Sequence, residues 1–394
     1  MLIQEPERQL PVTGTYDVTV CGAGIAGIAA ALSAARCGSR VLLVEQSQLP
    51  GGLAIPGLVV YYLPLCDGTG NQVSFGLAEE LLRLSIRHGA DGPLPTAFLD
   101  HLPIAERKKT RFEVQFNPWL FAIDAEAQLL EEGVRILYDT KVCGVKKNAE
   151  RITHLVLENI DGRTAVETGA VVDATGSAFV AHLAGEPCAL YAHGNVLSSW
   201  YYFLSGGKNH MRTFGEKRWM GGVDEEDLLE QVRIPGTDAQ ENSDVLVLSR
   251  QVMLRDFLSL REKPGREDAV LTMIPAMQDL RMTRRIEGRE TMTIDTDHIR
   301  ISSSVGCIGN WRKKGPAYEI PCGTLRTKNL ENLWAAGRCI STDDEMWDIA
   351  RVIPPCAVTG EAAGIGAALC AAHENVKTDE IQTVLVQRNI PLHL

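Results

Sequence analysis

The sequence of 394 residues lacks closely spaced cysteines, although it contains ten of them. No two form a Cys-x-x-Cys pair, a spacing that disulfide oxidoreductases, iron–sulfur clusters and zinc sites commonly use. Most of the cysteines are therefore predicted to be buried free thiols that pack as small apolar side chains. The histidines form no metal-binding pair, and we interpret the acidic segment from Asp295 to His298 as a polar turn.

An excess of basic residues is also missing. The formal net charge of −11 argues against a nucleic-acid partner, because phosphate binding requires a basic surface. No run of about eighteen uninterrupted apolar residues occurs, so we expect no membrane span. The N-terminus has acidic residues and prolines where a secretory signal has a basic and then an apolar stretch. These absences favour a globular cytoplasmic protein.

The residues near the N-terminus predict a β-α-β unit. Tyr16 to Cys21 and Arg40 to Glu45 are apolar, β-rich runs, and Ile25 to Cys37 is rich in alanine, which favours a helix. The turn between the first strand and the helix is Gly22-Ala-Gly24-Ile-Ala-Gly27, which matches G-x-G-x-x-G. Because this turn follows a strand and opens a helix, it indicates a dinucleotide site.

The glycines of the turn and a later acidic residue each have a physical role in such a site. Gly22 permits the tight turn, Gly24 lets a diphosphate approach the backbone, and Gly27 lets helix and strand pack closely. The helix N-terminus then faces the diphosphate with its partial positive charge. Glu45 stands 18 positions after Gly27, where a carboxylate accepts hydrogen bonds from ribose hydroxyls and repels the 2′-phosphate of NADP.

Patterns farther along the chain predict more elements. Segments 77–88, 123–132 and 244–262 have helical spacing, and an acidic helix candidate occupies 223–232. The other predicted elements are a single strand within 133–145, a hairpin of 152–158 and 165–172, alternating strand residues at 287–295, and a helix of small residues at 358–372.

The α/β patterns lie at both ends of the chain and enclose a less regular middle. We therefore predict an α/β fold with a discontinuous, Rossmann-like dinucleotide-binding domain formed by residues 1–55, 120–185 and 330–394. An inserted α+β lobe, formed by residues 56–119 and 186–329, is expected to bind the substrate.

Several further motifs follow one another along the chain. Gly51-Gly52 comes soon after the acidic residue, and the others are "DATG" (173–176), "LRMTRRIEGRETMT" (280–293), "NLWAAGRCIS" (332–341) and "RVIPPCAVTGEAAGIGAAL" (351–369). With these motifs the chain resembles the FAD-dependent oxidoreductases of the glutathione-reductase-like superfamily that have a single dinucleotide fold. The resemblance covers most of residues 16–372. It implies an FAD-binding domain of the glutathione-reductase type and says little about the substrate.

The glycine turn and the resemblance together assign the contacts to FAD. We expect a helix to begin at Thr359 and to lie under the flavin, as the family places it, with its positive end favouring the anionic reduced flavin. Its small residues allow a planar ring to approach, although they are also typical of close helix packing. The predicted contacts are Gly22, Ala23, Gly24, Ile25, Ala26, Gly27, Glu45, Gln46, Gly51, Gly52, Leu53, Val142, Ala174, Thr175, Gly176, Gly337, Arg338, Thr359, Gly360, Ala363 and Gly364.

Few residues are candidates for catalysis. An arginine can hold a carboxylate or phosphate, or stabilise negative charge on the flavin, and a histidine or tyrosine can transfer a proton. A structural ion pair or hydrogen bond explains any one of them at least as well. The main candidates are Arg281, Arg351, His193 and Tyr201, and weaker ones are Arg284, Arg285, His298 and Cys66.

A second G-x-G-x-x-G is missing, and this absence bears on the reaction. Pyridine-nucleotide reductases of the superfamily usually have two such motifs. We therefore expect hydride transfer between a small organic substrate and the flavin, with an unidentified electron acceptor. The chain is also compatible with a homo-oligomer.

Two other functions stay open. One is a flavin-bearing subunit that relays electrons within a larger complex. The other is a tRNA-modifying flavoprotein, which the acidic charge and the absence of an appended C-terminal helical domain disfavour.

Overall fold

The computed structural model of the chain describes residue 3 and residues 7–109, 113–196, 198–215 and 233–394. The acidic helix predicted at 223–232 lies outside these residues. A largely parallel sheet forms the centre of the fold, with helices packed against it. The predicted α/β class with a Rossmann-like core is confirmed.

The strands are numbered in chain order. Those of the central seven-stranded sheet are β1 (Val12–Cys21), β2 (Val41–Val44), β5 (Arg135–Leu137), β6 (Lys141–Asn148), β7 (Arg151–Asn159), β8 (Gly162–Asp173) and β18 (Leu333–Ala335). The others are β3 (Tyr61–Tyr62), β4 (Val114–Gln115), β9 (Cys188–Leu190), β10 (Asn195–Val196), β11 (Ser198–Ser205), β12 (Lys208–Gly215), β13 (Arg233–Ile234), β14 (Val270–Met273), β15 (Arg284–Ile286), β16 (Ser304–Gly309) and β17 (Ala317–Pro321).

The described α-helices are numbered in the same way. They are α1 (Ile25–Arg36), α2 (Leu77–Ser85), α3 (Thr96–Leu99), α4 (Ile104–Arg107), α5 (Pro118–Glu131), α6 (Phe179–Leu183), α7 (Ala239–Arg261), α8 (Asp344–Ala350), α9 (Ile353–Ala372) and α10 (Thr378–Gln387).

The order of the central strands places a site at one edge of the sheet. The order is β5-β2-β1-β8-β7-β6, and β18 also pairs with β8. Strand β1 runs parallel to β2 and β8, and β18 runs parallel to β8, so the carboxyl ends of these strands meet. Ligands of open α/β sheets bind at this edge, in the crevice beyond the strand ends.

Two strand predictions were wrong, and one was confirmed. Residues 133–145 form two strands, β5 and β6, because the chain turns at Asp139, whose φ is +49°. The segment 287–295 forms two isolated bridges, at Gly288 and Met292, and ends in a 3-10 turn that begins at Ile294. Gly288 lies against backbone, since a Cβ there would be 2.8 Å from the Gly323 carbonyl oxygen. The predicted hairpin is confirmed as β7 and β8.

The helix of small residues begins earlier than predicted. It starts at Ile353 and not at Thr359, because Pro354 and Pro355 occupy its first turn, where a missing N–H breaks no helical hydrogen bond. Its interior packs directly on α1. A Cβ added at Gly360 would lie 2.3 Å from the carbonyl oxygen of Ala26.

The inserted lobe has a core of its own among the described residues. Strands β12, β11 and β14 form an antiparallel sheet, and α7 packs against it through an apolar cluster that includes Tyr201, Met253 and Phe257. The domain boundaries stay a prediction, and α2, from the segment assigned to the lobe, packs on α9 of the nucleotide domain.

Helix α9 has the length and hydropathy of a membrane span, and 83% of its most apolar window is buried inside the protein, as in the core helix of a globular fold. All ten cysteines are free thiols, and seven of them are buried.

Glu361 places a carboxylate inside this helical core. The residue is only 4% exposed. One carboxylate oxygen accepts the N–H of Leu77, the first residue of α2, at 2.7 Å, and Nη1 of Arg388 lies 3.5 Å from the other. Burial raises the pKa of Glu361, although the Leu77 N–H and the Arg388 charge act in the opposite direction.

We predict that Glu361→Gln changes how stability depends on pH. A carboxyl whose pKa is raised on folding binds its proton more tightly in the native state, so it favours folding as pH falls from 7 towards the pKa of the unfolded chain. This contribution is lost as pH rises through the folded pKa. Urea unfolding at pH 7 and pH 5 should show that the wild type gains stability relative to the variant at the lower pH.

Glu80→Gln is the matched control, because the hydrogen bond from Arg36 lowers the pKa of Glu80. Its carboxylate therefore stabilises the native state above the unfolded pKa, and the sign of the pH effect is reversed. A wild type that loses stability relative to Glu361→Gln between pH 7 and pH 5 would contradict the assignment.

Candidate functional site

A cavity of about 320 Å³ lies at the carboxyl ends of the parallel strands. Many of the residues predicted from the sequence meet there. Those that line it are Gly22, Gly24, Ile25, Ala26, Glu45, Gln46, Gly51, Gly52, Leu53, Val142, Ala174, Thr175, Gly176, Arg281, Arg338 and Arg351.

The glycine turn has the shape that its sequence predicts. Gly22 has φ of +97°, and a Cβ there would lie 2.7 Å from the carbonyl oxygen of Ala174. A Cβ on Gly27 would lie 1.8 Å from the Gly22 carbonyl oxygen, so strand and helix meet there at backbone distance. Apart from its chain neighbours, no atom of the described residues would lie within 4 Å of a Cβ on Gly24, which leaves the N-terminus of α1 open to the cavity.

Glu45 braces this turn as well as facing the cavity. It is 5% exposed, its Oε2 accepts the N–H of Ala23 at 2.6 Å, and its Oε1 accepts the N–H of Ser47 at 2.8 Å. Gly51 donates its N–H to the Ala23 carbonyl at 2.6 Å, so the Gly51-Gly52 segment is hydrogen-bonded to the same turn. Ala23 thus supports the site from behind, without lining the cavity.

Four predicted contacts from α9 do not line the cavity. Thr359, Gly360, Ala363 and Gly364 lie in the interior of the helix and are fully buried. The two glycines pack on α1, which is the packing role that small residues often have, and the Thr359 hydroxyl accepts the N–H of Gly337 at 3.0 Å. Because the helix begins earlier, its first turn reaches the cavity instead, through Val352, Ile353 and Cys356.

The proline pair in that first turn is the sequence signal that could have located the helix start. Proline is common at the first helical position, because the N–H that it lacks has no acceptor within the helix. Gly27 and Gly337 also lie behind the lining, the latter with its Cα against the side chains of Ala26 and Cys356.

The predicted arginines Arg281 and Arg351 line the cavity, and both have acidic partners. Arg281 Nη2 lies 2.8 Å from Asp279, and Arg351 Nη2 lies 2.7 Å from Asp348. Each guanidinium is therefore held in place by an ion pair. Both residues are thus structural partners of a carboxylate and, at the same time, cations in the cavity lining.

The other predicted catalytic side chains do not line the cavity. His193 is exposed, and its ring contacts Tyr191. The Tyr201 hydroxyl donates to Asp256 at 2.5 Å inside the lobe core, where Arg212 also pairs with Asp256. Among the weaker candidates, His298 pairs with Asp297 on the surface, Arg284 donates to Ser177, Arg285 pairs with Asp344, and Cys66 is buried.

Several lining residues were not predicted. The unpredicted members near the arginines are Val59, Tyr61, Leu63, Met277 and Asp279, and Thr140, Lys141 and Phe179 lie near Val142 at the other end. Cys356 also lines the cavity, and its thiol donates to the Arg351 carbonyl at 3.2 Å. Burial raises the pKa of this thiol to about 11, so it is protonated at neutral pH. No motif marks these positions in the sequence, since the fold alone brings them together.

A family model described as FAD dependent oxidoreductase matches residues 17–198 and 294–390, which is more than half of the chain. The chain belongs to the FAD-dependent oxidoreductase family. It is therefore an oxidoreductase that uses FAD, as the sequence predicted. The match leaves out residues 199–293, which supply much of the inserted lobe.

Curated relatives of this FAD-dependent oxidoreductase match short segments. A thioredoxin reductase of Ureaplasma parvum is 39% identical over 72 residues, which cover 18% of this chain and 23% of that protein. A probable electron transfer flavoprotein-quinone oxidoreductase of Escherichia coli is 33% identical over 138 residues, 33% of this chain and 31% of that protein. The chain thus spans about a quarter to a third of the length of these relatives.

Among solved structures, p-nitrophenol 4-monooxygenase of Pseudomonas putida is similar with a TM-score of 0.50 and 13% identity, over 95% of this chain and 84% of that chain. At this identity the likeness concerns the fold alone.

The residues present fit FAD. The open backbone at Gly24 and the N-terminus of α1 can hold a diphosphate, and the Glu45 carboxylate lies at the end of β2, where a ribose is bound in this fold. In the described part of the chain, no cluster of three or more His, Cys, Asp or Glu side chains could hold a metal ion.

We predict that Glu45→Arg weakens FAD binding far more than FMN binding. FMN lacks the adenosine ribose, so it does not depend on the hydrogen bonds that Glu45 would accept. Loss of one charged hydrogen-bonding partner corresponds to about 1.5–3 kcal/mol. Titration of the flavin-free protein with each flavin, followed by flavin fluorescence, measures the ratio of the two affinities.

Because Glu45 also braces the glycine turn, a matched control is needed. Asp17→Asn removes a carboxylate that accepts a backbone N–H, that of Arg40, at a position remote from the cavity lining. An affinity ratio that is the same in Glu45→Arg, Asp17→Asn and the wild type would show that Glu45 does not contact the ribose.

Proposed function

We propose that this FAD-dependent oxidoreductase transfers a hydride between a small organic substrate and its flavin. The observation that carries the proposal is a cavity lined by two chemically different groups of residues, which we treat as its two ends. One end has the glycine turn and Glu45, which suit the adenosine diphosphate. The other has apolar side chains and arginines, which suit a second molecule. When bound, FAD supplies the ring that takes up and releases the electrons.

The second end of the cavity suits a substrate with an apolar body and a polar group. Val59, Leu63 and Met277 supply apolar surface that excludes water. Arg281 and Arg351 stand beside them with guanidinium groups held by carboxylates, and a guanidinium can orient a carboxylate or phosphate through paired N–H donors.

Tyr61 is the side chain at this end best suited to donate a proton. Its ring lies 5.5 Å from that of Trp200, and burial raises the pKa of the phenol, with the charge of Glu113 acting in the same direction. The hydroxyl is therefore protonated at neutral pH and can donate a hydrogen bond or a proton to a substrate atom.

The test is an anaerobic screen of small molecules against the FAD-loaded protein, followed by the flavin absorbance. We predict that NADH and NADPH bleach the flavin much more slowly than the true substrate, since one glycine turn is present and Glu45 assigns it to FAD. Dithionite is the positive control, because it reduces any accessible flavin. Bleaching by NADH at about ten per second, a typical turnover rate, would make the protein a pyridine-nucleotide-dependent reductase.

We predict that Tyr61→Phe slows flavin reduction by a substrate found in this screen by about 100-fold or more, the usual contribution of a proton-transfer group. Tyr201→Phe is the matched control, because its hydroxyl bonds to Asp256 outside the cavity lining. Stopped-flow absorbance gives both rates. Equal rates in Tyr61→Phe and the wild type would remove the phenol from the reaction.

Similarity to the probable electron transfer flavoprotein-quinone oxidoreductase of Escherichia coli favours a second candidate function, a flavoprotein that relays electrons to a further acceptor. This alternative predicts that no small molecule in the screen bleaches the flavin, while an electron-carrier protein or a quinone reoxidises the reduced protein rapidly.

A further inference from the structure

Arg338 is a cation in the cavity wall that, within the described part of the chain, has no acidic partner. It lies in the short helical turn Gly337–Cys339, directly after β18. Its Nη1 donates to two backbone carbonyls, those of Leu280 and Arg281, the latter at 3.2 Å. In the described residues no carboxylate lies within ion-pair distance of it, whereas each neighbouring arginine has one. Those pairs are Arg281 with Asp279, Arg285 with Asp344 and Arg351 with Asp348.

An unpaired guanidinium in such a place is costly. Burial lowers the pKa of Arg338, because the charged guanidinium gives up hydration in the cavity wall. A guanidinium has five N–H donors in a rigid fork, and the two carbonyls here are both reached by Nη1. Nε and Nη2 therefore remain for an anion that enters the cavity with a ligand.

The position of the guanidinium indicates which anion this is. A Cβ added at Gly176 would lie 2.3 Å from Nη2 and 3.0 Å from Nε, so these two donors rest against the "DATG" turn. Gly337 lies against Ala26, in the first turn of α1. Both neighbours adjoin the glycine turn, where the N-terminus of α1 faces a bound diphosphate.

The carbonyls that Arg338 holds belong to the substrate end of the cavity. Asp279 and Arg281, on either side of Leu280, both line it. From the opposite side, the buried Asn195 accepts the N–H of Arg281 at 2.9 Å and that of Met282 at 3.0 Å. Residues 280–282 are thus fastened to the inserted lobe by Asn195 and to the nucleotide domain by Arg338.

We propose that Arg338 is a positioning residue: it binds the diphosphate of FAD through Nε and Nη2, and through Nη1 it fixes residues 280–282 so that Arg281 faces the substrate. Cofactor binding thereby orders one wall of the substrate end. This proposal concerns the cofactor and the wall, and it holds whichever substrate the enzyme uses.

Binding measurements test the first part. We expect Arg338→Met to weaken FAD about 10- to 100-fold and riboflavin hardly at all, because riboflavin has no phosphate and a charged hydrogen bond is worth this factor. Arg338→Lys should recover part of the loss, since it keeps the charge without the fork. Arg285→Met is the matched control: it removes a partly buried, paired arginine that does not line the cavity.

Equal weakening of FAD and riboflavin by Arg338→Met, or an unchanged FAD affinity, would overturn the contact with the diphosphate. If Arg338→Met fails to fold, Arg338→Lys is measured instead. A purely structural role of the Arg338 charge predicts that this variant has the same ratio of FAD affinity to riboflavin affinity as the wild type.

Amide hydrogen exchange of the full chain tests the second part, with and without FAD. FAD should slow exchange at Arg281 and Met282 in the wild type and in Arg285→Met, and much less in Arg338→Met. If the exchange rates at Arg281 and Met282 in the wild type are the same with and without FAD, the coupling is overturned. Neither readout requires turnover, so failure of this proposal and failure of the proposed hydride transfer are distinguishable.

Discussion

The backbone contact between α1 and α9 is the constraint on which the rest of the structure depends. Gly360 and Gly364 each bring a carbonyl oxygen of α1, those of Ala26 and Ala30, to 2.3 Å from where a Cβ would stand, so no larger side chain fits at either position. The contacts advance by four residues in each helix, from Ala26 to Ala30 in α1 and from Gly360 to Gly364 in α9, so the two helices run in the same direction. Both N-termini consequently point towards one cavity, and their partial charges add there.

This arrangement concentrates positive charge where anionic groups have to bind. Three arginines line the same cavity, and two of them are balanced by Asp279 and Asp348. The third, Arg338, forms no ion pair within the described residues, and its proposed partner is the diphosphate of the cofactor. A cofactor with a diphosphate is thus favoured by two helix ends and one unpaired guanidinium, while the acidic chain as a whole carries the opposite charge.

The part of the site that the sequence predicts is the part built within short segments. Gly22, Gly24 and Glu45 belong to one strand-turn-helix-strand unit, so their spacing already specifies their geometry. The substrate end is different: Tyr61 and Met277 are 216 positions apart and meet only in the folded chain. For the same reason periodicity could not show that Tyr201, an apolar strand residue, turns into the lobe core. The early start of α9 did have a local signal, the proline pair of its first turn, which the prediction did not use.

Arg338 contacts one wall of the cavity, residues 280–282, through backbone atoms of that wall. Arg338 lies within the region that the family model matches, whereas Leu280 and Arg281 lie in the stretch that it omits. The hydrogen bonds between them end on backbone carbonyls, which are present whatever side chains occupy 280 and 281. Arg338 can therefore keep this wall in the same position when the side chains at 280 and 281 are replaced. Because Arg338 binds backbone and not side chain, it fixes this wall without restricting which residue types occupy positions 280 and 281.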